Sequence, residues 1–359
     1  VVLGLIEGIA EATAQITRVF SGWLSDVLGK RKALVVAGYS LAAVAKPLFP
    51  LANSIGLVLF ARFVDRIGKG IRNAPRDALI ADIMPAATQG AAYGLRQSLD
   101  TIGATVGPAA AIGLMFYFDD DIRAVLWFAV IPAVIAVLVL VFGVREPALP
   151  NKRAKSPLDW RELRKLSTAY WLVVGAGAIF TLARFSEAFL VIRAHDAGLV
   201  LAWTPAVIGI MSLVFAATAY PAGRLQDKIG ARPLLLLGLV VLILADLVLA
   251  LVNSLAGIFV GVGLWGLHMG LTQGVLSAMI AGTAPERLRG TAFGLFGLVV
   301  GSATLIASLV AGLLWEQIGP EATFEAGAAF AATAFIAFLV SHAQDRGKRT
   351  SGHRGSATR

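Results

Sequence analysis

Cysteine is missing from the sequence altogether, so no disulfide framework, thiolate metal site or cysteine nucleophile is available. Charge is scarce as well. Asp, Glu, Lys and Arg make up 15% of the 359 residues against 57% hydrophobic residues, more apolar surface than a soluble core of this length can bury, which makes the chain an integral membrane protein. No Walker loop, dinucleotide glycine fingerprint or HExxH pair occurs, so an ATP-driven pump, a dinucleotide enzyme and a zinc protease lack their parts. With no catalytic cluster or appended soluble domain in view, the chain is read as a non-enzyme that needs no cofactor or metal. A cleavable signal-peptide pattern is also lacking. The net charge of +9 does not point to nucleic acid, because the Lys and Arg residues lie mostly between apolar runs, where they report membrane orientation.

A bilayer core takes about 20 helical residues to cross, and on that ruler eleven spans appear: 1–25, 33–52, 55–80, 91–117, 123–144, 168–192, 204–222, 233–252, 255–281, 291–315 and 322–342. Connections at Asn53-Ser54, Asp119–Asp121, His195-Asp196, Asn253-Ser254 and Glu316–Glu321 are nearly free of Lys and Arg, whereas the alternate connections hold Lys30, Arg31 and Lys32, then Arg76, the run from Lys152 to Lys165, Arg224, Lys228 and Arg232, and Arg287 and Arg289. The positive-inside rule puts the second set, and the basic tail, in the cytoplasm. An odd number of spans with an external start leads to the expectation that one further span precedes residue 1 in a twelve-span parent. The polar stretch 146–167 is the natural linker, giving bundles at 1–145 and 168–343 and a cytoplasmic tail at 344–359.

The halves repeat one another. Gly22, Leu24, Asp26, Gly29 and Arg31, at the end of the first span, reappear 201 positions later as Gly223, Leu225, Asp227, Gly230 and Arg232. Pro85, Gly90, Gly94 and Leu95 are matched at an offset of 200 by Pro285, Gly290, Gly294 and Leu295. A period this long fits tandem membrane bundles, not a solenoid. Physically, Gly22 and Gly29 permit close helix approach and a tight turn, Asp26 sets a carboxylate at a helix end, and Lys30, Arg31 and Lys32 anchor at the interface. The stretch reads equally as a basic turn that merely fixes topology.

These residues resemble the signature of the major facilitator superfamily between its second and third helices, with the weaker counterpart between helices eight and nine. The resemblance covers essentially the whole chain. It implies an all-α membrane protein with the MFS fold, two six-helix bundles related by a pseudo-two-fold, of which eleven of twelve transmembrane helices are present, rocking about a central site. In that family the signature Asp and its basic neighbours latch the halves in one conformation. Those roles fall on Gly22, Asp26, Gly29 and Arg31, and on Gly223, Asp227, Gly230 and Arg232, where Pro233 replaces the third basic residue.

Ionisable residues inside spans are costly and normally pair or face a cavity. Glu7, Glu11, Gln15, Arg18 and Gly22 follow at intervals of four, four, three and four, drawing one polar stripe down the first helix. Such a stripe lines an aqueous path or pairs with a neighbouring helix. Arg62, Asp65, Arg66 and Lys69 fall at helical spacings, so Asp65 has Arg62 and Lys69 within reach. Arg62, Gly68 and Gly70 resemble the family's fourth-helix signature, in which the Arg is linked to proton movement, and Arg66 departs from it where Gly is usual. A structural ion pair is the competing reading for Arg62. Asp100 precedes Gly103, Gly107 and Pro108, a partial likeness to the antiporter signature of exporters in the family and equally the pattern of ordinary small-residue packing. His268 is read as a hydrogen-bonding residue, and Asp246 stands alone.

The function these readings imply is a proton-coupled secondary transporter of a small organic compound, working by alternating access as an efflux antiporter, monomeric, in a plasma (inner) membrane, with Glu7, Glu11, Arg62, Asp65, Arg66 and Asp100 as coupling or substrate residues. Its partners are then the substrate, protons and the lipid bilayer. An importer of anionic metabolites, suggested by the cations at Arg66 and Lys69, is the alternative within transport. A membrane sensor or lipid-modifying enzyme is the alternative outside it.

Overall fold

The computed structural model describes residues 2–146, 166–200 and 203–336, with side chains from residue 13 onward. Among the described residues every regular element is helical. The first half contains α1 (Val2–Leu28), α2 (Arg31–Ala45), α3 (Ile55–Ile83), α4 (Gln89–Tyr117), α5 (Ile122–Phe128) and α6 (Val130–Gly143); the second contains α7 (Thr168–Leu182), α8 (Ala188–Asp196), α9 (Thr204–Ile229), α10 (Ala231–Leu251), α11 (Leu255–Thr283) and α12 (Arg289–Gln317), followed by α13 at 320–336. α5 with α6, and α7 with α8, are single crossings interrupted once, which gives the eleven segments anticipated. The linker 146–167, apart from its two ends, and the tail 344–359 lie outside the described residues. So do the side chains of Glu7 and Glu11.

Helix boundaries follow local chemistry. Ser54, Ser167 and Ser254 cap α3, α7 and α11 by accepting from Leu57 N, Tyr170 N and Gly257 N, satisfying amides that have no partner within the helix. Gly29 (φ 62°) and Gly230 (φ 85°) make the turns after α1 and α9, a backbone conformation that side chains with a Cβ resist. Six helical segments among the described residues are long and apolar enough to cross a membrane by length and composition alone. α3 falls short of that standard because of its charges, from Arg62 to Asp77.

The duplication is visible in the packing. Between halves, α1 packs on α12 and α4 packs on α9, the same contact generated twice by the pseudo-two-fold. Within halves, α1 packs on α3 and α9 on α11. Gly70 of α3 faces Ala14 and Thr17 of α1, and its counterpart Gly270 faces Thr218 and Ala219 of α9. Tyr93 and Phe293, 200 positions apart, meet with ring centroids 5.8 Å apart. They belong to an apolar cluster, with Ala74, Ala78, Tyr170, Ala278, Ala281 and Ala292, that spans both halves at the basic end. The second half has its own larger core around Trp265, Leu239, Leu242 and Phe324. By contrast, the outer part of α4 is exposed nearly throughout, and Gly103 and Gly107 have no atom within 4 Å of a Cβ position. The close helix approach that their spacing allows is not made here among the described residues.

A Cβ at Gly70 would lie 2.6 Å from the Ala14 carbonyl oxygen and 2.7 Å from Thr17 Cβ. Gly70→Val is expected to destabilise the protein by about 1–3 kcal/mol through overpacking. Gly263→Ala, where nothing lies within 4 Å, should be neutral or stabilise by up to about 1 kcal/mol; thermal unfolding in detergent separates the two.

Candidate functional site

Two carboxylates cap helices across the boundary between the halves. At the basic end, the Asp26 carboxylate accepts from Gly290 N (3.0 Å), Thr291 N (2.6 Å) and Thr291 Oγ1 (2.8 Å). It therefore caps the N-terminus of α12 from across the interface. In the pseudo-symmetric position Asp227 accepts from Gly90 N and Ala91 N, both at 2.8 Å, and caps α4. Each carboxylate sits where helix amides have no partner of their own and where the helix dipole favours negative charge. Glycines make the approach possible: a Cβ on Gly22 would strike the Gly290 carbonyl, one on Gly223 the Gly90 carbonyl, and one on Gly94 the Ala219 carbonyl.

The two caps differ in their surroundings. Arg31 bridges Asp26 (3.3 Å) and Asp82 (2.7 Å), with side chains 2% exposed or less on all three, and donates to the Glu286 carbonyl at 3.0 Å. Arg289 adds a second bond to Asp82 at 2.9 Å. Around Asp227, which is exposed, no such charge network forms among the described residues; Arg232 is half-buried.

Between the halves lies a cavity of about 190 Å³. Arg18, Asn73, Arg76, Asp77, Arg96 and Gln97 form one wall; the other holds Phe180, Arg184, His268, Gln273, Leu276 and Phe296 among others. Pro75 interrupts the hydrogen-bond ladder of α3 one residue before Arg76 and Asp77, freeing a backbone carbonyl where the charges emerge. Asp77 is the hub. Its side chain is 3% exposed and is reached by Arg96 (3.0 Å), Arg76 (3.3 Å) and Arg18 (3.3 Å), guanidiniums from three different helices. Asp100 takes a second bond from Arg96 (3.1 Å) and one from Arg76 (3.6 Å). Tyr93 donates to the Asp77 carbonyl at 2.6 Å, and the Arg18 guanidinium lies against Gly297 of α12.

The sequence-derived candidates are thus divided. Gly22, Asp26 and Arg31 come together with α12, and Gly223 and Asp227 with α4. Asp100 joins the cavity arginines. Arg62, Asp65, Arg66 and Lys69 lie outside the cavity lining among the described residues; the ion pair shown for Asp65 runs to Lys46 at 3.3 Å, which follows α2, and not along its own helix. Gly103, Gly107 and Pro108 are exposed on the outer part of α4. Arg76, assigned from sequence to a connection, belongs to α3 and the cavity. Asp77, Arg96 and Arg184 were missed as site residues; the signal available for Asp77 was its place beside Pro75 at the end of the most charged helix.

Two helical bundles meeting around a polar cavity define a membrane carrier of the two-domain kind. A profile of the Major Facilitator Superfamily matches residues 2–216 and 193–358, and the chain is 34% identical over 336 residues to an uncharacterized MFS-type transporter of Methanocaldococcus jannaschii, covering 92% of this chain and 83% of that protein. The chain belongs to the Major Facilitator Superfamily, whose members are transporters and not enzymes. It is also 24% identical over 313 residues to the multidrug resistance protein MdtH of Salmonella typhi, covering 84% of this chain and 75% of that one. Its fold matches the human organic anion transporter MFSD10 (TM-score 0.77, 19% identity, 93% of this chain and 83% of that one) and the Escherichia coli fucose:proton symporter FucP (TM-score 0.77, 16% identity, 94% and 90%).

The asymmetry of the two caps has a measurable consequence. Arg31→Ala leaves two buried carboxylates without their shared cation and should cost about 3–5 kcal/mol, whereas Arg232→Ala, at a half-buried site, should cost about 1 kcal/mol or less. Denaturant unfolding of the two variants checks this, and equal losses would remove the asymmetry.

Proposed function

We propose that the protein is a proton-coupled secondary transporter of a small organic compound, working as an efflux antiporter by alternating access. The observation that carries this reading is the Asp77 hub: one carboxylate shared by three arginines, in a cavity between two halves that pack through noncovalent contacts. Protonating Asp77 removes the negative charge that Arg18, Arg76 and Arg96 share, while Asp100 continues to hold Arg76 and Arg96. Arg18 loses that attraction, and it sits on α1, the helix that carries Asp26, against Gly297 of α12. A proton in the cavity is thereby linked to the interface that opens or closes. Glu7 and Glu11, on the same helix as Arg18, extend the titrating set, with Asp100 next to Arg76 and Arg96. Gly22, Asp26, Gly29 and Arg31, with Gly223, Asp227, Gly230 and Arg232, form the latch.

The similarity to a multidrug resistance protein supports efflux, and the fold shared with a fucose:proton symporter supports proton coupling. The importer alternative drew on Arg66 and Lys69, neither of which lines the cavity among the described residues, and it is the weaker reading. The basic ends of the helices are taken as cytoplasmic, with the C-terminal tail on that side, in a plasma membrane and in a monomer. The caps then close the cytoplasmic end, leaving the cavity facing outward.

Asp77→Asn is expected to abolish pH-gradient-driven flux in proteoliposomes, by at least about tenfold, while exchange at equal pH continues; Glu11→Gln should behave alike. Undiminished gradient-driven flux in the Asp77 variant would overturn the coupling role.

A further inference from the structure

The cavity contains one cation of a different kind from the rest. Arg18, Arg76 and Arg96 converge on Asp77 from the first half. Arg184 faces them from the second half, in the irregular segment 183–187 between α7 and α8. Among the described residues its guanidinium makes no hydrogen bond and no ion pair. Glu187 acts on it electrostatically, but from beyond ion-pair distance. An ion held in the membrane interior without a close counter-ion is expensive, and irregular backbone at that depth is tolerated where it lines a cavity. Arg184 meets both conditions by reaching into the space between the halves.

Around Arg184 the wall combines aromatic and aliphatic side chains with Thr181, His268, Thr272, Gln273 and Ser277. Phe180, one turn earlier, stacks on His268 at 6.3 Å and 15°, and His268 is itself pinned by the hydrogen bond of Nδ1 to the Gly238 carbonyl at 2.8 Å. The Phe296 ring lies over Gly177, where a Cβ would meet its Cζ at 3.2 Å. Leu276 and Val300 add aliphatic surface to the same wall. A guanidinium with unused donors therefore opens beside a preformed aromatic and aliphatic surface, which is the arrangement that holds an acid group and a flat or branched apolar body at once.

We propose that the transported compound is an amphiphilic organic anion, its carboxylate or sulfonate bound by Arg184 and its apolar body lying against Phe180, Phe296, Leu276 and Val300. This rests on the transport reading for the word "transported"; the binding site itself does not. The inference is independent of Arg66 and Lys69 and of the direction of movement.

The test uses the full-length protein in nanodiscs, titrated calorimetrically with four probes: naphthalene-2-carboxylate, naphthalene-2-sulfonate, 2-naphthylmethylammonium and acetate. The two aromatic anions are expected to bind, the aromatic cation and acetate at least about tenfold more weakly. Arg184→Gln should weaken the anions about tenfold or more, Arg184→Lys less, and Phe296→Ala should weaken the aromatic anions without changing the preference for negative charge. Thermal unfolding confirms that each variant is folded, and the Phe296 variant serves if Arg184→Gln is not. Equal binding of anion and cation, no binding of either aromatic anion, or unchanged anion affinity in the folded Arg184→Gln protein would each overturn the proposal. Binding through Arg184 without movement of the anion in proteoliposomes would leave this site standing and count against the transport reading alone.

Discussion

A carboxylate from one half of this protein ends a helix of the other, twice. Asp26 takes the first free amides of α12 and Asp227 those of α4, and the rest of the architecture is arranged so that this can happen. Glycines at 22, 90, 94, 223 and 290 strip the helix surfaces until backbones touch. Alanine and aromatic residues at the same end, centred on Tyr93 and Phe293, fill the interface around the caps. A helix cap contributes about 0.5–2 kcal/mol, and a charged acceptor lies toward the upper end. Two such contacts hold the halves together by a few kcal/mol, enough to populate one state strongly and little enough to be reversed by ligand or proton.

Charge is distributed along the same logic. The first half carries most of the ionic machinery: Asp77 with three arginines, and Asp26, Arg31 and Asp82 below it, joined by Arg289 from the second half. Among the described residues the second half supplies to the cavity aromatic and aliphatic surface, neutral polar side chains, His268 and one guanidinium, Arg184. Duplicated positions show how this division arose within one fold. Gly38 and Gly238 both make close helix contacts, yet Gly68 beside Gly38 corresponds to His268 beside Gly238, and Asp82 corresponds to Gly282. The backbone contacts are kept while the side chains at the cavity and interface diverge, and α1 brings Arg18 to the Asp77 hub and Asp26 to the stronger cap.

Most of the fold was legible in the sequence, because spans, basic connections and the repeat are properties of the chain itself. Asp26 and Asp227 were recognisable as a pair, and so were Gly90 and Gly290, but nothing in the sequence connects one pair to the other: the acceptors are side chains and the donors, Thr291 Oγ1 apart, are backbone amides, which leave no residue signature. The cavity was harder still. Helical spacing offered Arg62 and Lys69 to Asp65, whereas its ion pair is with Lys46 on a neighbouring element, a partner fixed by packing of α2 on α3. Spacing also marks the whole of 62–77 as charged without saying that the Pro75 end faces the second half. Arg184 and Glu187 stand three apart in the sequence, but the break between α7 and α8 takes them off a common helix face.

In the proposed latch the two caps, and not the apolar cluster alone, hold the basic end shut. Because the chain has no cysteine, spin labels can be placed at will, one pair on Leu28 and Arg287 at the basic end and another on Phe116 and Trp203 at the opposite end. Double electron–electron resonance on the Asp26→Ala, Asp227→Ala double variant should show the first distance lengthening and the second shortening relative to the unaltered protein. If both distance distributions stay where they were, the caps do not set the conformation.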